Sequence, residues 1–290
     1  MSTDSLDNPA NPLLRRLVDD AGIFPPGDLP LSKALHLHRI NRTGPYSALL
    51  GRFLCRASQL DELRELVGDD RLALGLIMDT GIAGLPETVA RAVEDSRLSL
   101  EVVEIPLPSE GDLSESAHAT LHALQRTLPQ EVAAFVEIPR VPGWRNALAL
   151  VAARGRGVKL RTGGLVADAF PTEREVADFV KACVVEGAAF KCTAGLHHAV
   201  RHTDETTGFE HHGFLNILLA TCEAVRGASV PELIEVLAER DPAELADRVR
   251  ALDARAAETC RRYFVTYGSC SFTEPVDDLT GLGLLEKETA

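Results

Sequence analysis

Several things are missing from this 290-residue chain, and each absence removes a class of function. No apolar run approaches the ~18 residues a membrane-spanning helix needs, so no membrane partner is expected. The first residues, 1–11, are polar and acidic without an apolar h-region, so no secretory leader is expected. Basic residues are in deficit: 30 Lys and Arg face 43 Asp and Glu, a formal net charge of -13. A general nucleic-acid binder needs a basic face, so nucleic acid is not an expected partner. The six cysteines (Cys55, Cys183, Cys192, Cys222, Cys260 and Cys270) form no C-x-x-C pair. Neither a disulfide framework nor a cysteine zinc site is suggested, and a reducing cytoplasm is the simplest location. There is no G-x-G-x-x-G after the first apolar run, which weakens a dinucleotide-binding fold. Tandem repeats and low-complexity segments are absent as well.

What is present is a regular alternation. Strand-type runs are read at Gly22 to Phe24, Ala48 to Cys55, Leu72 to Met78, Leu100 to Ile105, Val132 to Ile138, Gly157 to Arg161, Ala188 to Thr193 and Tyr263 to Ser269. Between them lie helical patterns at Leu31 to Ile40, Leu60 to Val67, Leu85 to Asp95, Leu113 to Leu128, Trp144 to Arg154, Thr172 to Glu186 and Phe214 to Arg226. Mostly apolar strands alternating with helices imply a parallel sheet covered by helices. Eight of them in a chain of this length favour one closed (β/α)8 TIM barrel over an open sheet. The whole chain is read as a single domain, residues 1–290. Residues 1–18 form an N-terminal extension, and residues 229–262 a helical insertion of two helices between the seventh and eighth strands.

Side chains alternate faces along a strand, so burying Val158 and Leu160 against helices turns Lys159 and Arg161 inward. The same logic turns Lys191 and Thr193 inward from the seventh strand, and Glu104 and Glu137 inward from the fourth and fifth. Inward barrel positions are ordinarily Val, Ile or Leu, so this polarity reads as an active site at the C-terminal mouth. Two glutamates against three cations leave a charge unmatched unless a lysine is neutral or an anionic substrate joins them. Lys191 is therefore expected to lower the Lys159 pKa by like-charge proximity and leave a nucleophilic amine.

The runs Lys159-Leu160-Arg161-Thr162-Gly163 and Lys191-Cys192-Thr193-Ala194-Gly195 lie 32 positions apart. Arg52-Phe53 stands in the second strand, Glu104 in the fourth, and Gly268-Ser269-Cys270-Ser271 ends the eighth. This pattern resembles deoxyribose-phosphate aldolase and its relatives, class I aldolases on a (β/α)8 barrel. The resemblance implies a Schiff-base role for Lys159, a supporting role for Lys191, and Glu104 or Glu137 relaying protons. It implies anion binding around Gly268, Ser269 and Ser271, with Arg52, Thr193, Gly195, His197 and His198 as further substrate contacts. Arg161 stands where the family carries a small polar residue, and a guanidinium there suits a carboxylate or phosphate bound bidentately.

The expected function is thus an aldolase-type lyase on a small anionic carbonyl compound, with no cofactor and a homo-oligomeric state left open. Five histidines, His197, His198, His202, His211 and His212, crowd a polar segment expected to form a loosely ordered lid over the mouth. They keep open a metal-dependent barrel isomerase or hydrolase, with Glu104 and Glu137 as oxygen ligands. A non-catalytic anion-binding barrel is the third reading. His36, His38, His118 and His122 are read as surface residues, Cys192 as packing and Cys270 as a thiol of lesser interest.

Overall fold

A computed structural model describes residues 12–286. Its elements, in chain order, are β1 (Val18–Asp20), α1 (Leu31–Thr43), β2 (Leu50–Arg56), α2 (Leu60–Leu66), β3 (Leu72–Ile77), α3 (Gly81–Glu94) and β4 (Leu98–Pro106). Next come α4 (Leu113–Thr127), β5 (Ala133–Glu137), α5 (Trp144–Ala152), β6 (Gly157–Arg161), α6 (Glu173–Glu186) and β7 (Phe190–Thr193). The chain continues with β8 (His202–Thr203), β9 (Glu210–His211), α7 (Phe214–Val225), α8 (Val230–Ala238), α9 (Pro242–Arg250), α10 (Ala254–Tyr263), β10 (Phe264–Ser269) and α11 (Thr273–Gly281). Strands β1 to β7 and β10 pair in parallel and close on themselves, while β8 and β9 form a separate antiparallel hairpin. This is the (β/α)8 barrel that the alternation predicts.

The helices start where the sequence supplies a cap. Asp112 accepts the Ser114 and Glu115 amides at 2.7 and 3.0 Å to open α4, and Thr172 and Glu175 form a reciprocal capping box on α6. The apolar core lies between the outer face of the barrel and this helical layer. Val103, Val136, Val158, Phe190 and Cys192 are all buried there. Phe190 stacks on Phe264 and meets Phe179 of α6 edge-on. Cys192 is a packing residue, as expected. Among the described residues no helix is long and apolar enough to cross a membrane.

Four readings of the sequence are corrected. The first strand is Val18–Asp20, not Gly22 to Phe24. Two adjacent acids look unlike a strand, yet each has partners: Asp19 faces the barrel interior and Asp20 turns outward to His38 Nδ1 at 3.0 Å. The Gly22 amide donates to Asp20 Oδ1, and the Phe24 amide to the Ala21 carbonyl at 2.8 Å, which makes the apolar run a turn. His38 is accordingly buried, whereas His36, His118 and His122 are exposed. The proposed extension ends inside β1, and Leu13, Leu14 and Leu17 are buried; residues 1–11 lie outside the described region. Residues 229–262 hold three helices rather than two. Helix α10 buries only Ala257 and Cys260, too little for an apolar periodicity, and opens on Asp253, which accepts the Ala256 amide at 2.7 Å.

Three β-bulges set the interior. Between Val18↔Leu50 and Asp20↔Phe53, Asp19 alone faces two residues, Gly51 and Arg52. Between Leu74↔Leu100 and Gly75↔Val102, Glu101 is the extra residue of β4. Between Phe264↔Phe190 and Thr266↔Lys191, Val265 is the extra residue of β10. An extra residue re-aims the side chains beside it, and at these bulges a polar group enters the barrel.

Candidate active site

Strand pairing places Glu137, Lys159, Lys191 and Thr266 side by side in one row across β5, β6, β7 and β10. Glu104 reaches this row from β4 and Asp19 from β1. Lys159 Nζ lies 2.7 Å from Glu104 Oε2 and 3.0 Å from Glu137 Oε2. Lys191 Nζ lies 2.7 Å from Asp19 Oδ2 and pairs with the other Glu104 oxygen. One carboxylate, Glu104, therefore bridges both ammonium groups. Thr266 donates its hydroxyl to Asp19 Oδ2 at 2.8 Å, and the Arg52 amide donates to Asp19 Oδ1 at 2.9 Å.

The pairs continue in both directions. Towards the C-terminal face, Glu137 accepts from Arg161 Nε at 2.9 Å. Towards the N-terminal face, Arg52 lies 3.5 Å from Asp19 and 2.9 Å from Glu101, which also pairs with Arg16 at 2.7 Å. The result is a ladder of alternating charge: Arg16, Glu101, Arg52, Asp19, Lys191, Glu104, Lys159, Glu137, Arg161. Its inner members are deeply buried. Lys159 is 3 % exposed and Lys191 and Glu104 are 1 % exposed, while the Arg161 side chain is half exposed.

This geometry overturns the expected neutral amine. Asp19 supplies the negative charge that two glutamates lacked, so Lys159, Lys191 and Arg161 match Asp19, Glu104 and Glu137 one for one. Burial pushes Lys159 down, but Glu104 and Glu137 outweigh it and hold the ammonium above its usual value. Burial likewise pushes the three carboxylates up, and their cations outweigh it and hold all three below the usual carboxylate range. Lys159 stays charged at rest.

The remaining candidates fall in three places. Arg52 belongs to the N-terminal half of the ladder rather than to the mouth. Thr193 and Gly195 follow the row on β7: Thr162 donates its hydroxyl to the Ala194 carbonyl at 2.6 Å, tying the two lysine motifs together. Gly195 has φ +73°, and a Cβ there would lie 2.9 Å from the Thr162 carbonyl oxygen, so this glycine serves close backbone packing. Gly268 lies inside the barrel beside Thr193, whereas Ser269 and Ser271 are engaged with one another and with the first turn of α11. The Ser269 hydroxyl donates to the Ser271 carbonyl at 2.7 Å, and Ser271 Oγ accepts the Glu274 amide at 3.3 Å.

The histidine segment is pinned rather than loose. His197 Nδ1 lies 3.0 Å from Glu274, and His198 Nδ1 lies 3.2 Å from Asp278, both carboxylates on α11. Buried Arg201 pairs with Glu173 at 2.8 Å and Glu210 at 3.1 Å. His212 is a core residue whose Nε2 lies 2.7 Å from the Pro171 carbonyl, and burial pulls its pKa down to about 4. His211 packs on Phe170, which lies beyond β6, so the hairpin stands at the C-terminal face as expected, but as a fixed element. Among the described residues no group of three or more His, Cys, Asp or Glu is placed to hold a metal ion. Glu104 and Glu137 instead serve the lysines.

Asp19 is the site residue that the sequence reading passed over. Its signal was the unmatched charge: three inward cations required a third acid, and a buried strand ending in two acids could have supplied it. A cavity of about 240 Å³ lies outside the barrel between α5 and α6, lined by Trp144, Leu160 and Phe179, on the face of β6 opposite Lys159. Neither family models, curated proteins nor solved structures give a match to this chain, so the aldolase-like resemblance rests on the strand-end residues alone.

Proposed function

We propose that this barrel is a lyase-type enzyme in which Lys159 forms an imine with a small anionic carbonyl compound, and the adjacent C–C bond is then made or broken. The supporting observation is the placement of Lys159, an amine with a carboxylate on either side. An ammonium does not attack a carbonyl, so one carboxylate must first take its proton. Glu137 suits that task because Arg161, its second cation, is half exposed. An anionic substrate group that draws Arg161 away leaves Glu137 with one cation fewer and raises its proton affinity. The Lys159 proton then passes to Glu137, and the free amine adds to the carbonyl carbon. Returning that proton to the carbinol oxygen lets it depart as water. Lys191, held by Asp19 and Glu104, stands beside the reacting nitrogen.

A second reading has its own support in the raised Lys159 pKa: a permanent ammonium stabilises an oxyanion without any covalent link. Reductive trapping separates the two. Purified protein is treated with borohydride and a panel of small aldehydes and ketones carrying a carboxylate or phosphate, and its intact mass is measured. Imine chemistry gives an adduct on Lys159 that is absent from Lys159→Arg, since a guanidinium stays protonated. Turnover without an adduct assigns Lys159 the oxyanion role. Neither adduct nor turnover across the panel reduces the site to an anion-binding barrel.

A further inference from the structure

Beside the lysine site, at the C-terminal face, three reactive side chains from three elements meet. Cys270 directly follows β10, His197 lies four residues beyond β7, and Glu274 stands in the first turn of α11. His197 Nδ1 is 3.0 Å from Glu274 Oε2, and Cys270 Sγ is 3.8 Å from Nδ1 and 4.0 Å from Nε2. Five cysteines are buried, whereas Cys270 is partly exposed. Cys270 comes immediately after the last residue of β10, at the C-terminal end of the barrel. The loop after β1 backs it, since a Cβ on Gly27 would lie 3.0 Å from Cys270 Cβ.

The electrostatics agree with the contacts. Burial pushes His197 down, but the hydrogen bonds with Cys270 and Glu274 outweigh it and hold the imidazole up at about 10. Glu274 is correspondingly held below the usual carboxylate range by His197. The other titratable groups nearby are His211 of the β8–β9 hairpin and Asp278 of α11, with His198, next in the chain, acting on Glu274 and Tyr267 of β10 feeling it. Burial lowers His211, and Asp278 binds His198 and the Ala199 amide. A protonated imidazole beside a sulfur is placed to orient it and to give a proton to a departing group.

We propose that Cys270, His197 and Glu274 form a second covalent site, in which the Cys270 sulfur, its proton having passed to solvent, is the nucleophile toward an electrophilic carbon bearing a leaving group. Sγ supplies the electron pair, and the S–C bond forms as the bond from carbon to the leaving group breaks. The leaving group departs with those electrons and, where it is a strong base, takes the His197 proton. Glu274 keeps the imidazole oriented and charged until then. The site rests on no part of the Lys159 reading.

The test is the rate of alkylation by iodoacetamide at pH 7, followed at the Cys270 peptide by mass spectrometry in wild type and His197→Gln, beside the thiol of free glutathione. Wild-type Cys270 should react faster than the glutathione thiol, and His197→Gln at least about tenfold more slowly than wild type. The five buried cysteines, unmodified in both proteins, report that the fold is intact. Wild-type Cys270 that reacts no faster than glutathione overturns the proposal on its own, whether or not the variant folds. A folded His197→Gln that reacts as fast as wild type overturns the role of His197.

Discussion

Replacing Glu104 by Gln should damage this protein more than any other single change in the barrel, because one carboxylate holds two buried ammonium groups. At the 2.7 Å separation from Lys159, Coulomb attraction is worth about 6 kcal/mol at an effective dielectric constant of ~20. The contact with Lys191 adds a similar amount, and the cost of burying three charges opposes both. Removing one partner of a buried pair leaves that cost uncompensated, and the net loss is typically about 3–5 kcal/mol. Trp144, the one tryptophan of the chain, reports unfolding in urea by fluorescence. In wild type the raised Lys159 pKa contributes stability that is fully present below the unfolded value of about 10.5 and lost only as pH rises through the folded one. The wild-type midpoint should therefore barely change through this lysine between pH 7 and pH 9.5. In Glu104→Gln, two ammonium groups face each other across a neutral amide, so at least one lysine falls below its unfolded value. The unfolded state then binds more protons than the native state, and stability must rise with pH over the same window. Adding Lys191→Met to Glu104→Gln should restore part of the loss, because it removes the stranded charge. A Glu104→Gln protein within about 1 kcal/mol of wild type, with an unchanged pH response, would refute the bridging role.

The same ladder sets two further outcomes. A Cβ on Gly51 would overlap Asp19 Oδ1, so Gly51→Ala should displace that carboxylate and cost about 1–3 kcal/mol as overpacking, read as a lower urea midpoint. Asp19, Glu104 and Glu137 have folded pKa values below their unfolded ones, so their contribution is present above about pH 4 and lost as pH falls through the folded values. Urea midpoints measured from pH 7 down to pH 3 should hold to about pH 5 and then drop, with a shallower drop in Glu104→Gln.

Much of this site is legible from period-two alternation. Val158 and Leu160 bracket Lys159, and Val103 and Ile105 bracket Glu104, so an apolar neighbour on each side reveals a charge that must turn inward. The same rule places Glu137, Lys191 and Arg161. It fails where the backbone does not keep step. Asp19 and Asp20 are adjacent acids, and only the tertiary partners, Lys191 for one and His38 for the other, make a strand of them. Glu101 and Arg52 stand at bulges, where the extra residue cancels the alternation that would have assigned their faces. The lysine motifs were visible as motifs, but the bond that ties Thr162 to the Ala194 carbonyl depends on strand neighbours that no local spacing encodes.

The alternation of charge also explains how so polar an interior is tolerated. Each inner member of the ladder touches partners of opposite sign on both sides, so no inner charge of the ladder goes unmatched, whereas an isolated one would carry several kcal/mol of desolvation. A consequence is that no rung can change its charge alone. Protonating Glu137 weakens what holds Lys159, which alters the share of Glu104 that Lys191 commands, and so on to Asp19 and Arg52. The ladder is most open to perturbation at Arg161, its half-exposed C-terminal rung. In the proposed imine chemistry, an anionic ligand arriving there would compete with Glu137 for a guanidinium, and the first group released to move a proton would be Lys159. On that proposal, burial of the inner rungs would work in favour of selectivity: without an anion at the mouth, the amine would keep its proton and stay inert.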